Sequence, residues 1–186
     1  MSRAVSRTLL FRSWALCSGA IVTLSVPFFL SSEEQGYYFA FTSLLAIQIF
    51  FELGLGQVLI YKFAASNTKS THIKDTKTNE LLFVSRKIYL VLSFLFFSIT
   101  AIIGIWFFSQ RPSQEIYWLW PWLILVASTA WNLAQSVKLA YLEATGKYSA
   151  VSSLRLKANI AGSILFLVMC FSGAKLWISI AIPISN

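Results

Sequence analysis

The sequence predicts an all-α protein that crosses a membrane several times. Hydrophobic residues make up 57% of its 186 residues and charged residues only 12%, about half the charged share of an ordinary soluble domain. So few charges cannot cover the exterior of a soluble protein of this size. The chain also contains five long apolar runs, each close to the roughly 20 residues that a helix needs to cross a bilayer. We therefore expect a polytopic bundle of transmembrane helices.

The apolar runs give the order of the spans. The five predicted spans cover about 13–32, 37–61, 88–110, 116–137 and 158–174. After Lys175 the apolar stretch 176–186 is too short to cross a bilayer, and it predicts a sixth helix that is cut short. We expect residues 1–186 to form a single helical bundle.

Basic residues predict the orientation of this bundle. Thirteen Lys and Arg lie in the N-terminal segment and in the connections 62–87 and 138–157, against two in the three opposite connections. The positive-inside rule therefore places the N-terminus in the cytoplasm. This pattern also accounts for the net charge of +8 without a nucleic-acid partner. The first apolar run is longer than that of a signal peptide and predicts an uncleaved span.

The connections predict which helices are neighbours. The external connections 33–36 and 111–115 are short, and Pro112 is a helix stop. Short connections join antiparallel helices, so we expect span one to pack on span two and span three on span four. The polar cytoplasmic segment 64–80 predicts a mobile loop.

Residue patterns typical of enzymes and metal sites are missing from the sequence. Cys17 and Cys170 lie in apolar runs and indicate small hydrophobic side chains, and His72 lies in a polar loop. No Cys and His spacing suits a metal, and no Gly-rich loop suits a phosphate. The sequence predicts neither an enzyme nor a bound cofactor.

Glu52 is the only charged residue inside a predicted span. Because a carboxylate within a membrane is costly, such a residue normally faces a cavity, the bundle interior or a partner. Gln48 and Gly56 share its helix face at spacings of four. Glu52 is therefore a candidate cavity-lining residue, suited to a proton or another cation. Alternatively, it extends to the cytoplasmic interface and pairs with Lys62 or Arg12.

A second polar stripe runs along span four. Asn132, Gln135 and Lys138 follow one helix face, which Ser128 extends. Amides within a membrane either bond to neighbouring helices or line a water-filled path, and both readings remain open. The aromatic group before them predicts an interfacial belt formed by Tyr117, Trp118, Trp120 and Trp122.

Four short motifs resemble those of polysaccharide flippases of the multidrug/oligosaccharidyl-lipid/polysaccharide exporter superfamily. The segment 32–38 (SEEQGYY) resembles a turn between the first two helices of that family, and 51–56 (FELGLG) resembles a motif of its second helix. The segment 142–148 (LEATGKY) is similar to its loop between helices four and five, and 173–177 (GAKLW) to the start of helix six. The motifs are spread along the chain, so the resemblance extends over essentially its whole length.

The resemblance implies one helical bundle, the N-terminal half, of a two-bundle transporter. It implies a transporter of the bacterial inner membrane that moves undecaprenyl-diphosphate-linked oligosaccharide for polysaccharides such as O-antigen, in contact with membrane lipid and glycan assembly proteins. Gln48, Glu52, Asn132, Gln135 and Lys138 are the candidate cavity residues. A drug/cation antiporter of the same superfamily and a non-transporting membrane scaffold of glycan assembly are the alternatives.

Overall fold

In the computed structural model the described part of the chain is helical, without a β-strand. The backbone is described for residues 3–52, 54–67, 71–110, 117–173, 175–181 and 183, and the side chains of these residues except 3–12, 67, 71–77 and 175. Seven α-helices are followed by a 3₁₀ segment: α1 (Arg3–Phe29), α2 (Ser32–Leu45), α3 (Gln48–Glu52), α4 (Leu55–Asn67), α5 (Thr71–Ser109), α6 (Leu119–Ala144), α7 (Tyr148–Phe171) and the 3₁₀ segment (Lys175–Ala181).

Three helical stretches are long and apolar enough to cross a membrane. They are Ser32–Ser66, Thr78–Ser109 and Tyr148–Phe171, and Ser13–Phe29 is a shorter apolar helix. Helix α6 has 26 residues and is not among these three stretches. The helical membrane class agrees with the sequence, whereas the count of five spans and a partial sixth stays a prediction.

The helices pack in two groups. Helix α5 lies along α6, which also contacts α4, whereas α1 packs mainly on α7. The predicted pairing of spans three and four is therefore confirmed. The predicted pairing of spans one and two is wrong, because α1 contacts α2 only slightly. A hydrogen bond of 2.9 Å from the Ser18 hydroxyl to Asn159 Oδ1 joins α1 to α7 inside the bundle.

The larger hydrophobic core lies between α2, α5 and α6 around Trp122, which has no exposed surface. The rings of Phe41 and Phe108 lie with their centroids 5.1 and 5.5 Å from the Trp122 ring. Trp122 was expected in an interfacial belt and instead fills this core. Tyr117 and Trp120 are exposed, as a belt requires.

The predicted external connection 33–36 is the first turn of α2. Ser31 caps this helix: its side chain accepts a hydrogen bond from the Glu34 amide, and the Glu34 carboxylate accepts one from the Ser31 amide. This reciprocal capping box satisfies two backbone donors that a helix start would leave unpaired. The chain therefore turns between α1 and α2 within two residues.

The second predicted span, 37–61, is a broken helix. Helix α2 ends at Leu45, Ala46 and Ile47 form a turn, and α3 continues only to Glu52. Gly54 then has a φ of 73°, a left-handed conformation that favours glycine, before α4 begins at Leu55. Within a membrane, non-helical backbone is tolerated where it lines a cavity or is buried in protein.

Two connections predicted from charge are largely helical. The segment 64–80 belongs to α4 up to Asn67 and to α5 from Thr71, so these residues are helical and not a loop. Similarly, α6 and α7 occupy all of 138–157 except 145–147. The predicted connection 111–115, the side chains of Arg12 and His72, and residues 184–186 lie outside the described residues.

Candidate functional site

A cavity of about 980 Å³ lies among α2, α3, α4, α6 and α7, with Tyr89 of α5 at its wall. Many of the side chains around it are polar, although they come from largely apolar helices. The polar residues include Gln48, Glu52, Gln57, Ser128, Asn132, Gln135, Ser136, Glu143 and Arg155. The cavity therefore offers amides, hydroxyls and carboxylates in a protein whose exterior is dominated by apolar side chains.

Glu52 lies at the C-terminal end of α3, on the cavity and beside the break in the second span. Its Oε1 is 3.5 Å from Nε2 of Gln48, at the outer limit of a hydrogen bond. Within the described side chains Glu52 forms no ion pair, and Lys62, its predicted partner, is exposed. The other predicted partner, Arg12, has a side chain outside the described residues. Glu52 thus presents a half-buried carboxylate to the cavity.

The amides of α6 form the opposite wall. Asn132 lies on the cavity and donates a hydrogen bond from Nδ2 to the Pro183 carbonyl, so it both lines the space and joins two elements. Gln135 also lines the cavity, and its side chain has no hydrogen bond within the described part of the chain. Lys138 is exposed and is not among the lining residues. The structure thus brings four of the five candidate residues to one cavity.

An ion pair lies at the junction of α6 and α7. Nη2 of Arg155 is 2.8 Å from Oε1 of Glu143, and both residues line the cavity. A Schellman motif sets their positions: Gly146, with a φ of 79°, donates to the Glu143 carbonyl, and Lys147 donates to that of Leu142. The sequence placed Arg155 in a connection, whereas it lies in α7. Gly146 was the signal for a helix end, and α7 begins two residues after this glycine.

Tyr89 and Trp131 also line the cavity and were not predicted as site residues. Only 2% of Tyr89 is exposed, and its hydroxyl has no hydrogen-bond partner within the described residues. Trp131, by contrast, is 66% exposed although it lies at the midpoint of α6. For Trp131 the available signal was its position beside Asn132 and one turn before Gln135, two residues of the polar stripe of α6.

A second, smaller cavity of about 280 Å³ lies between α1 and α7. Small side chains line it, including Ser18, Gly19 and Gly162, together with Asn159. Ser18 and Asn159 bond to each other there. The polar groups in this space serve helix packing, so the larger cavity is the candidate functional site. Among the described residues, no cluster of His, Cys, Asp or Glu side chains could hold a metal ion.

The fold and the cavity fit a helical membrane protein with a polar cavity between its helices. No family model matches the chain, and no similar protein was found among curated sequences or solved structures.

Proposed function

We propose that this chain is part of a flippase that moves lipid-linked oligosaccharide across the bacterial inner membrane, with its N-terminus in the cytoplasm. The carrier lipid is of the undecaprenyl-diphosphate type, as the motif resemblance implies. A sugar-diphosphate headgroup cannot enter hydrocarbon unaided, because its polar groups would lose their hydrogen bonds to water. A transporter must therefore supply a polar path while the lipid tail stays in the bilayer.

The observation that carries this proposal is the polar lining of the large cavity. Amides from α3 and α6, the Glu52 carboxylate and the hydroxyl groups of α6 surround a space of about 980 Å³, at the upper end of the range for small-molecule pockets. Arg155 adds a cationic group to the same wall. Neutral donors and acceptors suit sugar hydroxyls, and a guanidinium suits a diphosphate.

The test is binding followed by translocation. The chain is reconstituted in liposomes with a fluorescent undecaprenyl-diphosphate oligosaccharide, and movement of the headgroup between leaflets is followed by its loss of accessibility to an external lectin. We expect the chain to bind this lipid, and translocation to require that two bundles assemble in the liposome. Gln135→Leu should reduce binding and any translocation, whereas Lys138→Ala, outside the cavity, should reduce neither. Absence of binding would refute the proposal.

One observation favours a second candidate, the drug/cation antiporter. Glu52 faces the cavity with no ion pair within the described side chains, and an uncompensated intramembrane carboxylate is suited to a transported cation. Efflux of a cationic dye from cells, abolished by Glu52→Gln, would support this candidate. A scaffold needs no polar cavity, so insensitivity to all the cavity substitutions would favour that third reading.

A further inference from the structure

Trp131 lies on α6 next to a buried contact with α5. The Ser93 hydroxyl donates a hydrogen bond to the carbonyl of Ala130, the residue before Trp131. Ser93 is the sixth residue of the apolar run 88–110, which follows Arg86 and Lys87. The level of Trp131 in the bundle is therefore set by packing against the apolar part of α5.

The indole of Trp131 is also not used for packing inside the protein. Trp122 lies on the opposite face of α6 and is completely buried, whereas Trp131 is 66% exposed and lines the large cavity. An exposed aromatic face in a polar cavity provides a flat surface for a ligand. It has a partial negative charge above the ring, which attracts groups with partial positive charge.

The neighbouring groups are neutral hydrogen-bonding groups. Gln135 lies one turn after Trp131 on the same face of α6 and has no hydrogen bond to the protein within the described residues. The Tyr89 hydroxyl also has no partner among the described residues, but it has almost no accessible surface and is out of reach of a ligand in the cavity. The Gln135 amide is therefore the donor and acceptor beside the Trp131 ring.

We infer that Trp131 and Gln135 form a sugar-binding subsite, in which a pyranose ring stacks on the Trp131 indole. This inference rests on the proposed function and identifies the part of the substrate that this wall recognises. The C–H groups on one face of a pyranose ring carry partial positive charge and pack against the indole. The ring hydroxyls then accept from and donate to the Gln135 amide.

The experiment compares carrier lipids with and without a sugar. Binding to the purified chain, in a detergent without a sugar headgroup, is measured for undecaprenyl diphosphate alone and for the same lipid bearing a single glucose, galactose or N-acetylglucosamine. We expect at least one glycosylated lipid to bind more tightly than the bare lipid. Trp131→Ala should lower the affinity for the glycosylated lipid about tenfold, equivalent to about 1.4 kcal/mol. It should leave the affinity for the bare lipid unchanged.

Trp106 provides the matched control. It is 65% exposed, lies on α5, and is not among the residues that line the cavity. Trp106→Ala should leave all affinities as they are. Trp131→Phe, which keeps an aromatic ring, should retain part of the sugar-dependent affinity, and Gln135→Leu should reduce it without loss of the ring. These variants separate stacking from misfolding.

Three results would overturn the inference, and only the last would also overturn the proposed function. Equal binding of bare and glycosylated lipids, or sugar-dependent binding that survives Trp131→Ala, would refute the subsite and leave the proposed flippase intact. Failure of every carrier lipid to bind the unmodified chain would refute the proposed function, and the subsite with it.

Discussion

Gly104 of α5 lies directly against the indole of Trp122 on α6. A Cβ atom at Gly104 would come within 2.2 Å of Cε2 and Nε1 of that ring, far closer than van der Waals contact. The absence of a side chain at 104 therefore lets Trp122, the largest fully buried residue among those that the structure describes, fit between the two helices. Small residues at helix interfaces allow this close approach in membranes.

Substitution of Gly104 by Ala should therefore destabilise the bundle. Trp122 cannot move away easily, because Phe41 and Phe108 pack around it. Overpacking of this kind costs about 1–3 kcal/mol. Thermal unfolding of the detergent-solubilised variant should show a lower midpoint than the unmodified chain. Gly19→Ala is the control, since no atom lies within 4 Å of a Cβ at that position, and equal midpoints for the two variants would contradict the packing argument.

The buried hydrogen bond between Ser18 and Asn159 predicts a measurable link between α1 and α7. Ser18→Ala removes the donor, and the loss should be about 0.6 kcal/mol and not above about 1.7 kcal/mol, the range found for such bonds in membranes. A double-mutant cycle with Asn159→Leu measures the coupling directly. Thr23→Val, whose hydroxyl bonds only to its own helix at Gly19, serves as control. Zero coupling between 18 and 159 would show that packing alone holds α1 on α7.

Arg155 and Lys138 give a prediction about the diphosphate group. Under the proposed function, Arg155 is the cation on the cavity wall, whereas Lys138 lies outside it. Arg155→Gln should weaken binding of bare undecaprenyl diphosphate, because a guanidinium bonds to phosphate oxygens in a fixed, paired geometry. Lys138→Gln should leave that affinity unchanged, which equilibrium binding of the labelled lipid would measure.

The Glu143–Arg155 ion pair should itself add little stability. Arg155 is 42% exposed, and ion pairs of this exposure are worth about 0–1 kcal/mol. A lower midpoint of thermal unfolding for Arg155→Gln would therefore show that Arg155 stabilises the fold, and would contradict a role in ligand binding alone. Glu143→Gln, which frees the guanidinium, should strengthen lipid binding if the pair competes with the diphosphate.

Much of the helical organisation could be predicted because it depends on composition along the chain. Long uncharged runs and polar stripes at helical spacing identified the helices and brought Gln48, Glu52, Asn132 and Gln135 forward as candidates. Helix ends were harder to predict, because a few residues in a single turn determine where a helix begins or ends. The sequence contains the Ser31-x-x-Glu34 pattern of a capping box, which indicates a helix start, and Gly146, which indicates a helix end. Apolar runs and charge counts place both in connections and do not locate the helix ends.

Tertiary partners were harder to predict than elements. Short connections predicted that α1 would pack on α2, yet α1 packs on α7, which is remote in sequence. Ser18 and Asn159 could not be matched from the sequence, since many polar residues on apolar helices are equivalent candidates. Likewise, the sequence predicted an interfacial position for Trp122, which is buried in the core. These differences depend on which helix faces meet, and that is decided by packing in three dimensions.

The orientation of the bundle can be tested with single cysteines. Tyr117 and Lys138 lie near opposite ends of α6, and both are exposed. The excess of basic residues in alternate connections predicts that Lys138 is on the cytoplasmic side and Tyr117 on the outer side. In a background without Cys17 and Cys170, a membrane-impermeant maleimide should label Tyr117→Cys in right-side-out vesicles. It should label Lys138→Cys only in inside-out vesicles. The reverse pattern would place the N-terminus outside, and labelling of both positions from one side would show that α6 does not cross the membrane.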